Sequence, residues 1–499
     1  MAKSIMIQGT ASNAGKSLIA AGLCRIFAED GYRVAPFKAQ NMALNSFITE
    51  EGLEMGRAQV VQAEAAGRAP SVLMNPVLLK PTDDRGSQVI VMGEVWKNMS
   101  ASQYYRHKRE IVPYVKEAFE KLSEQNDIIV IEGAGSPAEI NLKENDIVNM
   151  YMARLAEAPV LLAGDIDRGG VFASLAGTLL LLDSDEKKYL KGFIINKFRG
   201  DPELLKPGLR MLEEMTQRPV AGVIPFLDVD IDDEDSLSER FGRRAGIPLV
   251  DIAVIRLPRI SNFTDMGAFD AVEGVSVRYP GQARELGNPD LIVIPGTKNT
   301  MGDLMWMRES GMEAAVKKLS AAGTPVFGIC GGYQMLGESL EDPYGVEHGG
   351  AMRGMGLLPG KTVFEKEKRR TRVKGRFESP GGIFKCLSGM EIEGYEIHMG
   401  ATDRKGEPLV TIWEEEGKET ADGMSGENVW GSYVHGIFDG EGIAAALARE
   451  LMKAKGMDPG QIKEINVKEY RESQYSRLAG GIRKAMDMDL VYSIIEKGI

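Results

Sequence analysis

Residues 4–17 read Ser4-Ile5-Met6-Ile7-Gln8-Gly9-Thr10-Ala11-Ser12-Asn13-Ala14-Gly15-Lys16-Ser17. A short apolar run gives way to a loop bounded by glycines, then to Lys-Ser and the helical periodicity of Ser17–Glu29. That order puts backbone amides and the positive end of a helix dipole at one point, a natural seat for phosphate. In such a loop Lys16 reaches the β- and γ-phosphates of ATP and the Ser17 hydroxyl holds Mg²⁺. Gly9, Thr10, Asn13 and Gly15 complete the expected ATP-binding set. Five residues rather than the usual four separate Gly9 from Gly15.

Outward from this loop the same rhythm repeats. Ser4–Gln8, Arg33–Lys38, Asp127–Glu132, Pro159–Gly164, Gly192–Asn196 and Ala221–Pro225 read as strands, with helices such as Ser17–Glu29 and Tyr114–Ser123 between them. Strands that are apolar on both faces and separated by helices imply a parallel sheet covered on both sides, an α/β fold. Ligands of such sheets gather at the carboxyl ends of the strands. Glu132 and Asp165 end two of them and are, with Ser17, the expected Mg²⁺ ligands. Asn196, at the end of another, is a candidate for adenine. Lys38 opens the segment Lys38-Ala39-Gln40-Asn41-Met42-Ala43-Leu44-Asn45, whose Gln40, Asn41 and Asn45 are candidates for orienting a carboxylate substrate.

A second chemistry lies far downstream. Gly328-Ile329-Cys330-Gly331-Gly332-Tyr333-Gln334 follows a strand-like run and precedes a helical one. A tight strand–helix turn exposes the sulfur near a helix N-terminus, and both effects favour a thiolate nucleophile. The amide of Gly331 could hold an oxyanion, with a second donor from Gly296 in Pro295-Gly296-Thr297. Gln334 is a candidate for positioning substrate. His435, in Tyr433-Val434-His435-Gly436, is the expected base, with His398 as the competing candidate. The position two residues after His435 is Ile437, so the carboxylate that often completes such a site is missing there; Glu396 is a candidate orienter. A phosphate loop joined to a cysteine–histidine pair would free ammonia from glutamine and attach it to an ATP-activated carboxylate.

Composition agrees. The 499 residues exceed one ordinary core. Expected boundaries are 1–230 for an ATP-dependent synthetase domain, 231–248 for an acidic linker, 249–442 for the cysteine domain and 443–499 for a helical tail. Strand-like runs at Leu249–Leu257, Leu291–Pro295, Val326–Ile329, Glu393–His398 and Val429–Val434 make the second domain α/β as well. Three cysteines disfavour a disulfide framework and point to a reducing, cytoplasmic setting. The net charge of −12 gives no reason to expect nucleic acid, and no apolar run is long enough to span a bilayer.

With both sites in view, the chain resembles the cobyric acid synthase family, glutamine-dependent amidases of the cobalamin pathway. The resemblance rests on the variant phosphate loop, which is similar to that of dethiobiotin synthetase, and on KAQNMALNS (38–46), EGAGSPAEINL (132–142) and GDIDRGGVFA (164–173). It continues through NKFRGD (196–201), PGTKNT (295–300), GICGGYQMLG (328–337), GYEIHMG (394–400) and SYVHGIF (432–438). It implies a dethiobiotin-synthetase-like P-loop domain followed by a class I glutamine amidotransferase-like domain. It also implies a corrinoid substrate, adenosylcobyrinic acid a,c-diamide, amidated on its b, d, e and g carboxylates at the cost of one ATP and one glutamine each. Members lack the usual third triad residue after the histidine. Cobyrinic acid a,c-diamide synthases share both domains but typically carry an acidic residue where Gln40-Asn41 stand. A non-biosynthetic P-loop ATPase with an inactive glutaminase-like domain is the alternative of another class.

Overall fold

The computed structural model describes residues 2–81, 86–231, 248–413, 419–463 and 466–499. The linker expected at 231–248 lies, but for its two ends, outside the described residues. The chain forms two compact units. One comprises Met1–Ala43, Leu53–Asp235 and Arg471–Ile499; the other comprises Leu44–Gly52 and Ser236–Tyr470.

The first unit is built on a six-stranded sheet in the order Val220–Pro225, Leu190–Phe198, Val160–Asp165, Lys3–Gly9, Ile128–Glu132, Val34–Phe37. Every neighbouring pair is parallel. All six strands are those read from the apolar runs, because a strand buried on both faces needs an unbroken apolar stretch. Ile5, Ile7, Val130, Leu161 and Ile194 pack with Ile19, Leu23 and Phe27 of the helix Lys16–Glu29 in one core. Lys3–Gly9 runs centrally between Ile128–Glu132 and Val160–Asp165, so Gly9, Glu132 and Asp165 all end at the same edge of the sheet.

Two parts of this unit are less visible in the sequence. A four-stranded sheet of Gln40–Met42, Val77–Pro81, Gly86–Val91 and Glu94–Ser100 precedes the helix Ala101–Gln125. Glu94–Ser100 is largely exposed and lacks an apolar run. The helix starts at a capping box of Ser100 and Gln103 and runs through Pro113, whereas the periodicity alone predicts a start at Tyr114. The tail is charged, yet Tyr475, Leu478, Ala479 and Ile482 recur at helical spacing and join the core of the first sheet with Val491, Ile494 and Ile495. The fit is close: a Cβ on Gly22 would lie 2.3 Å from Ile482 Cδ1.

The second unit has a sheet in the order Val275–Arg278, Val250–Val254, Leu291–Ile294, Val326–Ile329, Val429–Ser432, Met424–Ser425, parallel except for the last pair. The expected strand at Glu393–His398 is not part of it. It belongs to Glu391–Arg404, which pairs antiparallel with the long strand Gly360–Phe377 in a separate sheet. Gly360–Phe377 carries the charged run EKEKRRTR and buries Phe364, Val373 and Phe377 between exposed positions, so no apolar run marks it. Leu44–Gly52 also belongs to this unit: Ile48 packs on Tyr395 and Ile397, and the Tyr395 hydroxyl donates to the Ser46 carbonyl at 3.1 Å. No helix among the described residues is long and apolar enough to cross a membrane.

Candidate active sites

In the second unit the parallel pair Val326–Ile329 and Val429–Ser432 explains how a cysteine and a histidine so far apart in sequence meet. Ile329 is in register with Ser432, so the residues that follow leave the sheet at the same edge. Cys330 turns sharply there, with φ +50° and ψ −108°, a sparsely populated conformation for a residue with a side chain. Its amide donates to the Ser432 carbonyl at 2.8 Å, and the helix Gly331–Leu336 starts at once. The turn leaves no room at Gly332, where a Cβ would come within 1.9 Å of the Ile294 carbonyl oxygen. Gly332→Ala is expected to destabilise the unit by about 1–3 kcal/mol, read as a lower urea midpoint.

His435 is 1% exposed and held on three sides. Its amide donates to the Tyr395 carbonyl at 2.9 Å and its carbonyl accepts from the Tyr395 amide at 3.1 Å. The Tyr395 ring lies against the imidazole, with centroids 5.3 Å apart. Its Nδ1 is 2.8 Å from Asp265 Oδ2, while Asp265 Oδ1 accepts from the Gly436 amide at 2.9 Å. The Cys330 sulfur acts on the ring electrostatically and donates to the Ile397 carbonyl at 3.7 Å. Burial disfavours the imidazolium, but Asp265 and Cys330 outweigh it and push the His435 pKa up to about 10. The arrangement is a thiol, an imidazole and a buried carboxylate in series.

Asp265 is the residue that sequence reasoning missed. It sits in the turn Phe263–Met266, after Asn262 in a left-handed conformation, and no spacing relates it to His435. Glu396, the candidate orienter, does not reach His435. Its carboxylate accepts from Arg369 at 2.6 Å and faces His398 at 3.5 Å. Strand alternation is the reason: Tyr395 points to His435, so Glu396 points to the opposite side. His398 stacks on the Tyr433 ring at 3.8 Å and bonds the Gly400 carbonyl through Nδ1 at 2.7 Å.

Gly296 lies against His435, since a Cβ there would be 2.9 Å from His435 Cε1. The backbone nitrogen beside Gly331 is that of Thr297, 3.2 Å from where a Gly331 Cβ would stand. Gln334 is buried, accepting from the Thr300 hydroxyl at 3.1 Å and donating to the Tyr433 hydroxyl at 3.2 Å.

In the first unit Gly15 has φ +86°, and a Cβ on it would strike the Asn196 amide nitrogen at 2.0 Å. Asn196 donates to the Ala14 carbonyl at 2.9 Å, so its amide supports the loop from the strand Leu190–Phe198, two places along the sheet from Lys3–Gly9. Lys16 is buried and donates to the Ala11 carbonyl at 2.9 Å. Thr10 is fixed through its amide to the Ala163 carbonyl, and Asn13 takes a positive φ of 62°. Ser17 Oγ donates to Glu132 Oε1 at 2.9 Å. The same oxygen accepts from Lys38 at 2.9 Å, and Oε2 accepts from Gln62 at 2.6 Å and Gln59 at 3.4 Å. Burial would raise the Glu132 carboxyl, but Lys38, Gln62 and Lys16 hold it below its ordinary range.

Asp165 has Lys197 at 3.5 Å and Arg168 at 3.8 Å. Gln40 accepts from the Tyr104 hydroxyl at 2.6 Å, and Asn41 donates to Gln59 at 3.0 Å. Asn45 falls in the other unit, buried, with Oδ1 lacking a hydrogen-bond partner. Among the described residues no group of three or more His, Cys, Asp or Glu gathers as a metal site. Ser17 Oγ and Glu132 Oε1 nevertheless form an adjacent pair of hard oxygen donors, which suits Mg²⁺ completed by phosphate and water.

Fold and sites together define a glutamine amidotransferase joined to a P-loop nucleotide-binding unit. Residues 5–237 match the CobQ/CobB/MinD/ParA nucleotide binding domain, and residues 251–443 the CobB/CobQ-like glutamine amidotransferase domain. The whole chain is 62% identical to a cobyric acid synthase of Ruminiclostridium cellulolyticum, of which it covers 98%. It is 55% identical to that of Lachnoclostridium phytofermentans over the full length of both, and 50% identical to that of Caldanaerobacter subterraneus over 99% of the relative. The chain belongs to the cobyric acid synthase family.

Proposed function

We propose that the chain converts adenosylcobyrinic acid a,c-diamide to adenosylcobyric acid by amidating the b, d, e and g carboxylates, with glutamine as nitrogen donor and ATP as activator. The observation that carries this reading is the Cys330–His435–Asp265 series on one unit of a chain whose other unit holds a phosphate loop backed by Ser17 and Glu132.

Cys330 sulfur attacks the carboxamide carbon of glutamine, and the developing oxyanion is met by the amides of Gly331 and Thr297. His435 gives its proton to the departing nitrogen, so ammonia leaves and a γ-glutamyl thioester remains. Water, deprotonated by His435, then cleaves the thioester to glutamate and restores the thiol. Asp265 acts through His435, fixing its tautomer and stabilising the imidazolium.

In the other unit a corrin carboxylate attacks the γ-phosphorus of ATP, ADP departs, and ammonia displaces phosphate from the acyl phosphate. Lys16 meets the charge on the phosphates, and Gly15 lets the loop backbone approach them. Lys38, fixed on Glu132, supplies a second positive charge at the same strand edge. Mg²⁺, held by Ser17 and Glu132, would neutralise phosphate charge when bound.

Mass spectrometry of adenosylcobyrinic acid a,c-diamide incubated with the protein, Mg-ATP and glutamine tests the proposal. Four successive replacements of OH by NH₂ are expected. Hydrolysis of ATP and glutamine with no change in the corrinoid would refute the substrate.

Asp265→Asn is expected to lower glutamine-dependent turnover by about 10²–10⁴-fold, since the amide cannot support an imidazolium. It should also change stability with a defined pH dependence. The His435 pKa is raised from 6.5 to about 10, so the pairing stabilises the fold fully below pH 6.5 and is lost as pH rises through about 10. The loss of melting temperature in the variant should therefore be largest near pH 6 and shrink toward pH 10. An equal loss at both ends would contradict the assignment.

A further inference from the structure

A buried carboxylate that the mechanism leaves unused holds the loop that carries Thr297. Asp303, in the first turn of the helix Thr300–Glu309, is fully buried. Its Oδ2 accepts from the Thr297 hydroxyl at 2.5 Å and from the Arg259 amide at 3.1 Å. Burial pushes its carboxyl above the ordinary value, against the pull of Thr297 and Arg259. A charge kept at such a place costs folding stability, so its position calls for a reason.

Its two partners sit on adjoining loops. Val250–Val254 and Leu291–Ile294 are parallel neighbours, and residues 259–261 and 296–299 lie beyond their carboxyl ends. The loops are laced together: the Ser261 amide donates to the Gly296 carbonyl at 2.9 Å, and the Lys298 amide to the Arg259 carbonyl at 3.1 Å. Between those two bonds the Thr297 amide is left over, and among the described residues no acceptor takes it. This is the amide that stands beside Gly331, next to the nucleophile. A backbone donor left open there is ready for an anion.

The Thr297 side chain decides where that amide points. A hydroxyl has one proton, and the Asp303 oxygen at 2.5 Å takes it in preference to the Arg259 carbonyl at 3.1 Å. The hydroxyl oxygen in turn accepts from the Asn299 amide at 3.2 Å, which shapes the loop on the far side of Thr297. Given the glutaminase reading above, we infer that Asp303 is a positioning residue for the cysteine chemistry: through the Thr297 hydroxyl it aims the Thr297 amide at the oxyanion that forms when Cys330 attacks. Asp303 acts through Thr297 and does not touch the reacting atoms. Its bond to the Arg259 amide fastens the same loop to the one that leads to Asp265, so oxyanion donor and orienting carboxylate share one anchor.

The test measures glutamine hydrolysis by the full chain, by Asp303→Asn, by Thr297→Val and by the double variant, beside the rate at which iodoacetamide alkylates Cys330. Alkylation forms the sulfur–carbon bond as iodide leaves and builds no oxyanion, so it reads the thiol and His435 without the loop. Each single variant should lose about 10–100-fold in kcat, with KM for glutamine changed by no more than about 2-fold. The double variant should be no slower than the slower single one, because both substitutions break the same bond. Alkylation of Cys330 should keep its rate in all of them, which also shows that the elbow is folded. Losses that multiply in the double variant, or a fall in alkylation that matches the fall in kcat, would overturn the inference and leave Asp303 a structural tie between two loops. No hydrolysis of glutamine by the unaltered chain would refute the glutaminase reading itself, and this inference with it.

Discussion

Cys330→Ala should remove glutamine as a nitrogen source and leave ammonium as one. In the proposed mechanism the sulfur is the atom that forms the thioester, and without it the elbow, the Gly331 amide and His435 have no covalent step to support. Loss of such a nucleophile costs about 10⁴-fold or more in turnover. Alanine is small enough for the strained turn at φ +50°, and the neighbouring amide bonds to Ser432 and from Gln334 do not involve the side chain. The phosphate loop belongs to the other unit, so free ammonia should still be coupled to the activated carboxylate. Amidation is followed by mass, with glutamine in one reaction and ammonium chloride in another. Loss of both activities in a folded variant would contradict the division of labour.

Lys16→Ala should remove amidation with either nitrogen source. Lys16 is buried at the start of the helix Lys16–Glu29, and its ammonium rests on the Ala11 carbonyl of its own loop. That contact holds the side chain over the loop at which phosphates bind, so the charge is placed before ATP arrives. Removing one preorganised charge from a phosphoryl-transfer site costs about 10²–10³-fold or more. Lys38 cannot replace it, because its ammonium is already fixed on Glu132. Unchanged turnover with ammonium would refute the phosphate-loop assignment.

Much of the fold was legible because its chemistry is contiguous. All six strands of the first sheet are continuous apolar runs, and the phosphate loop and cysteine elbow are unbroken motifs whose spacing prescribes strand, turn and helix. Glycines marked the tight places: a Cβ on Gly15 would meet Asn196, and one on Gly332 would meet Ile294. The less legible elements are those whose burial depends on a distant partner. The charged strand Gly360–Phe377 is a strand because Glu391–Arg404 pairs with it. Residues Leu44–Gly52 fall within the expected first domain, 1–230, but Ile48 is buried on Tyr395 and Ile397.

The sequence by itself determined the two chemistries, their order along the chain and the parallel sheet beneath the phosphate loop. Motif and periodicity are local properties, and local sterics and burial enforce them. The tertiary structure decided which side chains converge. Asp265 reaches His435 across 170 residues, Glu132 is met by Lys38, Gln59 and Gln62, and Asp303 is brought to the Arg259 amide across 44 residues. Such pairings follow from strand register and loop path, which fix where a side chain ends in space. Neighbouring residues in the chain do not encode that position, and a lone aspartate or glutamate in a sequence carries no mark of the partner it will meet.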